Sequence, residues 1–600
     1  MPMQKITRLF DLLELYKNEF HSLINVFNVK KKGKWISYSA SDYVEYSRRI
    51  SLGLLSMEVK EGTRIATVML NCPEWNFFDM GIMMAGAVQI PIYPTVSEDT
   101  YRYIFLDARV EYLIVSNKAI YDRLSGIVKD IPSLKEVFSI EPVPGLRNWQ
   151  EILEMGKNFT RQDELQSVKD SIQPGQMVSI IYTSGTTGRP KGVMLSHHNF
   201  VTNYQAMKEI PPLGYGDRIL SFLPLCHVYE RTASYVYQAF GVSIFYVQEL
   251  DELPDYIMEV KPHAFAAVPR VLEKIYNRIV AHGRSQKLPV KMLFFWALRQ
   301  GHKFEVNHAR GLFYDFKLWI ANLLIFDKWR KALGGNVKFI VSGSAALHPR
   351  LTRIFWAARI PVLEAYGLTE TSPGIALFHF EPSGIKFGTV GPLLKGVEVK
   401  IADDGEILVK GPGVMMGYFN RPEKTAEVMD EEGWFHTGDI GEMEQGKFLR
   451  ITDRKKEIFK TSTGKYIAPQ VIEQKFKESA FIEHIMVIGE NRPYAAALII
   501  PSFEYLRNWC EVKRIGFSSP EKAIRNPRII KRIKQEVEWF NQDLGQTEKI
   551  KKFRLLASEW SMASGELSPT LKLRRKYILE RYKKIIEETY RSAEYDYRTE

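Results

Sequence analysis

The sequence predicts an α/β protein of more than one domain: a large N-terminal part of mixed sheets and helices, then a smaller α+β part. Three observations carry this. The chain is 600 residues long, more than one hydrophobic core usually supports. From about Ser37 to Pro269, short apolar runs alternate with helical patterns, as in parallel or mixed sheets covered by helices. At Val397 the texture changes to hairpins, and at Ile451 to Lys460 a charged stretch, ITDRKKEIFK, separates two apolar regions and marks a candidate boundary.

Each element has a local reason. RIATVML (64–70), VQIPIYP (88–94) and VEYLIVS (110–116) are rich in β-branched residues, which pack well on a pleated surface. VSIIYTS (178–184), ILSFLPL (219–225), AFAAVP (264–269) and VKFIVSGSA (337–345) have the same texture. VEVKIADDGEILVKG folds back at Asp403, Asp404 and Gly405, a hairpin signal. Beyond the charged stretch lie a helix pattern, APQVIEQKFKES, a strand pair, HIMVIGENRPYAAALIIP, and a basic tail.

With 45% hydrophobic and 12% aromatic residues, the composition excludes a disordered chain. Cys72, Cys226 and Cys510 lie too far apart for a disulfide framework or a CxxC metal site, so a reducing cytoplasm is expected. The first residues carry charges throughout and lack the apolar stretch of a signal peptide. No run approaches the roughly 20 apolar residues of a spanning helix.

The formal charge of +12 is unevenly placed. Residues 284–331 hold ten Lys or Arg against three Asp or Glu, together with ten aromatics. Nucleic acid is not the expected partner, because no helix-turn-helix, RNP or zinc-finger signature accompanies the charge. Two readings stay open: helices with a solvated face and a core face, or peripheral contact with an acidic membrane surface.

Between Tyr182 and Asn199 the chain reads YTSGTTGRPKGVMLSHHN, a loop of glycines and short hydroxyl residues ending in cations. Such a loop turns backbone N–H groups toward an anion, and Lys191 adds a mobile positive charge. It is not a Walker loop, since Arg189 and Pro190 follow Gly188 where Gly-Lys-Ser/Thr spacing is required.

Further on, VSGSAAL (341–347) ends a strand in small residues, where a flat ring can approach the backbone. EAYGLTETS (364–372) offers the aromatic face of Tyr366 and hard oxygen ligands at Thr369 and Glu370. In WFHTGDIG, Asp439 stands between glycines as a short carboxylate suited to ribose hydroxyls, and Arg454 offers a second polar grip. Lys572 follows Ser568-Pro569-Thr570 in a turn before further basic residues. KGPGVMMGY lacks dinucleotide-binding glycine spacing, and VSGSA lacks the GxSxG of a nucleophile elbow.

TSGTTGRPKG, SGSAAL, YGLTET, HTGD, DRKKEIFKTSTGKYIAP and ELSPTLKLRR, in this order over about two thirds of the chain, resemble the adenylate-forming superfamily of acyl-CoA synthetases, and most of all its long-chain fatty-acyl-CoA synthetases. The resemblance implies an adenylation domain at 1–454, with ATP and fatty-acid sites, and a small mobile C-terminal domain at 455–600. It implies ATP, Mg²⁺ and coenzyme A as cofactors and cosubstrates, and a two-step reaction. A fatty carboxylate attacks the α-phosphate to give acyl-AMP and pyrophosphate, and the CoA thiol then displaces AMP.

By that resemblance, Thr183, Ser184, Gly185, Thr186, Thr187, Gly188 and Lys191 hold the phosphates, and Glu370 with Thr183 holds the metal. Gly343, Ser344, Ala345, Tyr366 and Gly367 take adenine, Thr369 stands beside the phosphates, and Asp439 with Arg454 takes the ribose. Lys572, with Lys576 as its alternative, reaches between carboxylate and α-phosphate. The hinge falls at Lys456, Gly464 lines the CoA channel, and His227 in LPLCHVYERT sits by the fatty carboxylate. VPRVLEKIY, Val268 to Tyr276, and the 284–331 segment are expected together at the mouth of an acyl tunnel open to a bilayer. Two other readings stay open: a fatty-acyl-AMP ligase serving a carrier protein, in which 284–331 is the insertion that restrains the C-terminal domain, or a binding protein with a decayed site.

Overall fold

The computed structural model describes residues 6–183, 189–306, 310–561, 564–568 and 572–591. Two eight-stranded sheets build the N-terminal part. One runs, in spatial order, through Gly417–Tyr418, Lys191–Ser196, Met177–Thr183, Val88–Pro91, Arg64–Val68, Tyr112–Val115, Glu136–Ser139 and Arg147–Asn148. The other runs from Gly374–Leu377 through Val362–Gly367, Phe339–Ser342, Ala264–Ala267, Arg218–Ser221, Ser243–Tyr246 and Phe27–Lys31 to Lys34–Tyr38. The middle of each sheet is parallel, as the alternating apolar and helical runs predict, with antiparallel strands at one edge of the first sheet and at both edges of the second. A four-stranded antiparallel sheet follows, with the predicted hairpin closing at Gly405, whose φ of +82° suits a residue without Cβ.

The two large sheets share a core. Ile65 and Tyr112 from one sheet and Phe27, Ile219 and Ile244 from the other belong to the same apolar cluster. Helix Pro73–Met84, buried at every position, and helix Val228–Ala239 complete it. A fully buried ion pair crosses this core. Arg231 Nη2 lies 2.6 Å from Asp79 Oδ1, and its other nitrogens donate to Ser179 Oγ and the Tyr235 hydroxyl. Ser179 belongs to strand Met177–Thr183, so this pair clamps helix Val228–Ala239 to the strand that leads into the phosphate loop.

A separate core runs from Ile467 to Leu555 around the sheet Ile482–Ile488, Ala496–Pro501 and Lys552–Leu555. Charged contacts join it to the N-terminal part. Arg270 pairs with Glu483, His348 Nε2 lies 2.7 Å from Glu478 Oε1, and the Arg284 guanidinium sits 4.4 Å from the Tyr505 ring.

Residues 284–331 form helices Leu288–Gly301 and Leu312–Ala321, the latter continuing through a π-helical turn at Asn322–Phe326 into Asp327–Ala332. Their inner face, including Phe294, Leu298, Ala321, Phe326 and Trp329, packs on Phe265 and Leu272.

Candidate active site

The site gathers at the ends of several strands. Strand Met177–Thr183 delivers Thr183 directly opposite Lys191 on the antiparallel strand Lys191–Ser196. Ser184, Gly185, Thr186, Thr187 and Gly188 lie outside the described residues. Burial, and after it the neighbouring Lys456, lower the pKa of the Lys191 ammonium, against the pull of Glu370. Its Nζ stands 4.3 Å from the centre of the Tyr418 ring, whose hydroxyl donates to Glu370 Oε1 at 2.9 Å. Tyr418 reaches this place because strand Gly417–Tyr418 pairs with Val193 and Met194. It lies inside KGPGVMMGY, which as a motif points to nothing.

On the facing side, Asp439 and Arg454 are direct partners across two antiparallel strands. Arg454 Nε approaches Asp439 Oδ1 at 3.1 Å, and the Tyr366 hydroxyl donates to Oδ2 at 2.8 Å. Tyr366 therefore offers more than a ring: it fixes the carboxylate proposed for ribose. Gly367 beside it admits no side chain, since a Cβ would stand 1.7 Å from the Pro373 carbonyl.

The small-residue turn after Phe339–Ser342 lies under an aromatic ring, that of Tyr229. A Cβ on Gly343 would meet this ring at 3.2 Å, and the Tyr229 hydroxyl donates to the Val341 carbonyl. Ser344 follows in the left-handed region, φ +69°. His227 caps the helix that carries Tyr229: its Nδ1 accepts from the Tyr229 N–H at 3.2 Å. Burial, then Lys572, pushes its pKa down to about 4, so the ring is neutral near pH 7 and, with Nδ1 accepting, its proton sits on Nε2.

Lys572 arrives from the C-terminal part. Ser568 closes its turn twice, donating its N–H to the Lys572 carbonyl and accepting the Lys572 N–H at Oγ. Burial and then the Arg454 guanidinium pull the Lys572 pKa down to about 8, against Asp439, Glu457 and Glu370. One cleft of about 1800 Å³ takes in Thr183, Lys191, His227, Gly343 to Ala345, Tyr366, Gly367, Thr369, Glu370, Asp439, Arg454, Lys456 and Lys572. Its lining also includes the apolar side chains of Met207, Leu213, Val236, Tyr237 and Phe339, with Val236 and Tyr237 on the helix that His227 caps. Lys576 lines the cleft as well, but it is exposed and, unlike Lys572, does not act on His227.

Gly464 is exposed at φ +82° in the Thr461 to Lys465 turn and does not line the cleft that holds Lys572; the resemblance assigns its CoA role to the state in which the C-terminal domain has swung and withdrawn Lys572. None of the described residues of 284–331 lines the cleft, whereas Val268, Pro269, Arg270 and Glu273, from the other stretch expected at the tunnel mouth, do. The helices turn their apolar inner face to the core, while the cleft meets helix Pro269–Ser285 at its start, through Pro269, Arg270 and Glu273. Sequence reasoning missed Tyr229 and Tyr418, each identified only by what folding places against it.

Mg²⁺ suits the donor set. Among the described residues no three His, Cys, Asp or Glu side chains cluster, but this ion is commonly held by one or two carboxylates together with substrate phosphates. Glu370, which lines the cleft together with Thr183 and Thr369, offers that chemistry.

Residues 18–419 match the AMP-binding enzyme family, and residues 456–594 match the AMP-binding enzyme C-terminal domain. The chain belongs to the AMP-binding enzymes. Among similar members, the long-chain-fatty-acid–CoA ligase FadD15 of Mycobacterium bovis is 33% identical over 93% of each chain. The human long-chain-fatty-acid–CoA ligase ACSBG1 is 30% identical, covering 94% of this chain and 82% of its own. The fold is that of solved AMP-binding enzymes: the anthranilate CoA ligase AuaEII bound to anthranoyl-AMP aligns with a TM-score of 0.72 at 17% identity, over 98% of this chain and 99% of that one. A Mycobacterium tuberculosis fatty acyl CoA synthetase aligns at 0.60 with 20% identity, over 96% and 99%.

Proposed function

We propose that this AMP-binding enzyme is a long-chain fatty acid–CoA ligase, joining a fatty carboxylate to AMP from ATP and then transferring the acyl group to CoA. One observation carries the reading: Lys572, delivered by the C-terminal part, meets Asp439, Arg454 and Glu370 in a cleft that also takes in a neutral His227 and the apolar side chains of Met207, Leu213, Val236 and Phe339. A cation brought from outside to the meeting point of an acid and a nucleotide is what an adenylation step between two anions requires.

In the first half-reaction, Asp439 and Arg454 hold the ribose, Tyr366 and the Gly343 to Ala345 turn flank adenine, and Lys191 with the glycine loop holds the departing pyrophosphate. His227 Nε2 orients the fatty carboxylate while its tail lies along those apolar side chains. As the carboxylate oxygen bonds to the α-phosphorus, Lys572 neutralises the charge gathering there. Glu370 and Thr183 would hold Mg²⁺, which supplies further neutralisation of the phosphates. For the second half-reaction the C-terminal part turns about Lys456, withdrawing Lys572 and bringing Gly464 to the CoA entrance. Domains at 1–454 and 455–600 follow from that hinge.

The three cysteines are unpaired and buried, which supports a reducing, cytoplasmic setting. A second reading, release of acyl-AMP to a carrier protein, draws on the Arg284 contact with Tyr505, which ties 284–331 to the C-terminal part. Purified protein given ATP, CoA and acids of graded length decides between them. Long-chain acyl-CoA with equimolar pyrophosphate supports the ligase; pyrophosphate with free acyl-AMP and no thioester rejects it.

A further inference from the structure

The helical run that begins at Leu312 is apolar on both sides. Its inner side is core, but Leu312, Phe316, Trp319 and Leu323 succeed one another at helical spacing on its outer side. Leu312 is 89% exposed, and Phe316, Trp319 and Leu323 are each more than half exposed. Phe313, 72% exposed, widens the stripe, and the Phe316 and Trp319 rings stack with centroids 6.0 Å apart. The adjoining helix Leu288–Gly301 adds exposed Leu288 and Met292. A contiguous apolar face of this kind on a soluble chain marks a contact surface.

Charge selects the partner. Exposed Lys287, Arg310 and Lys328 edge the face, and Lys317 lays its stem along it, with Nζ 3.9 Å from the Phe313 ring centre. Of the two acidic residues on the run, Asp327 is occupied by Lys331 and Arg330, leaving Asp315. No helix among the described residues is long and apolar enough to cross a membrane. We propose that this face docks the enzyme on an anionic lipid bilayer, with Leu312, Phe313, Phe316, Trp319 and Leu323 seated among the acyl chains and the basic edge on the headgroups. The docking face is separate from the cleft and does not depend on the reaction assigned to it.

The test is sedimentation of the full chain with phosphatidylcholine vesicles, with and without phosphatidylglycerol. The protein should pellet with the mixed vesicles, less with phosphatidylcholine alone, and less again in high salt. Phe316→Ser with Trp319→Ser should lower the partition coefficient about tenfold or more, given the apolar area withdrawn. Val512→Ser, at an exposed valine elsewhere, should change nothing. Lys317→Glu with Arg310→Glu, both outside the core, should weaken binding to the mixed vesicles only and provides a second arm if the aromatic variant melts early. Equal binding by wild type and both double variants overturns the proposal. So does wild type that pellets with neither vesicle, or a dimer that the aromatic variant dissociates.

Discussion

Lys572 is a cation whose hold on a proton is weakened by burial and by the Arg454 guanidinium, and this gives adenylation a pH signature. Its pKa in the free enzyme, pulled down from the usual lysine range to about 8, means the side chain is mostly charged at neutral pH and loses its charge through about pH 8. The sign follows from the step it serves. In the proposed role the charged form stabilises the transition state, so kcat/KM for adenylation should fall above about pH 8, approaching tenfold per unit. Lys572→Ala should cost about 10²–10³ in adenylation, as loss of one aimed cationic donor does. Thioester formation from supplied acyl-AMP should change by less than about threefold, and the alkaline limb should vanish from what remains. Lys572→Arg, charged at every accessible pH, should be slower but flat to well above pH 8. Because the lysine is held charged against burial and Arg454, Lys572→Ala should melt no lower than wild type, separating lost chemistry from lost fold. Pyrophosphate exchange measures the first half-reaction and CoA-dependent consumption of acyl-AMP the second. Equal losses in both, or an alkaline limb that persists in Lys572→Arg, would refute the assignment.

Three further outcomes are expected. Asp79→Ala strands the Arg231 guanidinium in a dry core and should cost about 3–5 kcal/mol in urea unfolding; a loss below about 1 kcal/mol would show the pair is not the clamp described. Tyr418→Phe removes the donor to Glu370 and, for a hydrogen bond to a charged group worth about 1.5–3 kcal/mol, should change the Mg²⁺ concentration for half-maximal adenylation by about tenfold or more, with no change if the hydroxyl is incidental. Gly464→Leu should let acyl-AMP accumulate while acyl-CoA output falls; undiminished acyl-CoA would remove Gly464 from the CoA path.

Much of the fold was legible because its signals are local. VSIIYTS reads as a strand from its β-branched residues and is one, Met177–Thr183; the Asp-Asp-Gly turn reads as a hairpin and closes one. The candidate site was legible where one stretch of chain carries its own chemistry, as Asp439 between glycines does. It was illegible where two distant stretches cooperate: nothing near Tyr418 announces that its hydroxyl will find Glu370, nor near Tyr229 that its ring will cover Gly343. The 284–331 segment shows a third limit. Composition said aromatic and basic, but only packing divides the aromatics, sending Phe294, Phe326 and Trp329 inward and leaving Phe316 and Trp319 outside.

The contacts joining the two parts of the chain carry a consequence of their own. Arg270 with Glu483, His348 with Glu478 and Arg284 over Tyr505 all exist while Lys572 occupies the cleft, and a turn large enough to bring Gly464 there must release them. In the proposed turn they would act as a clutch made mostly of half-shielded charges, and such a clutch slips as ionic strength rises. Added salt should therefore shorten the engaged period and favour handover to CoA over the making of acyl-AMP, so the buffer helps set which half of the cycle limits turnover.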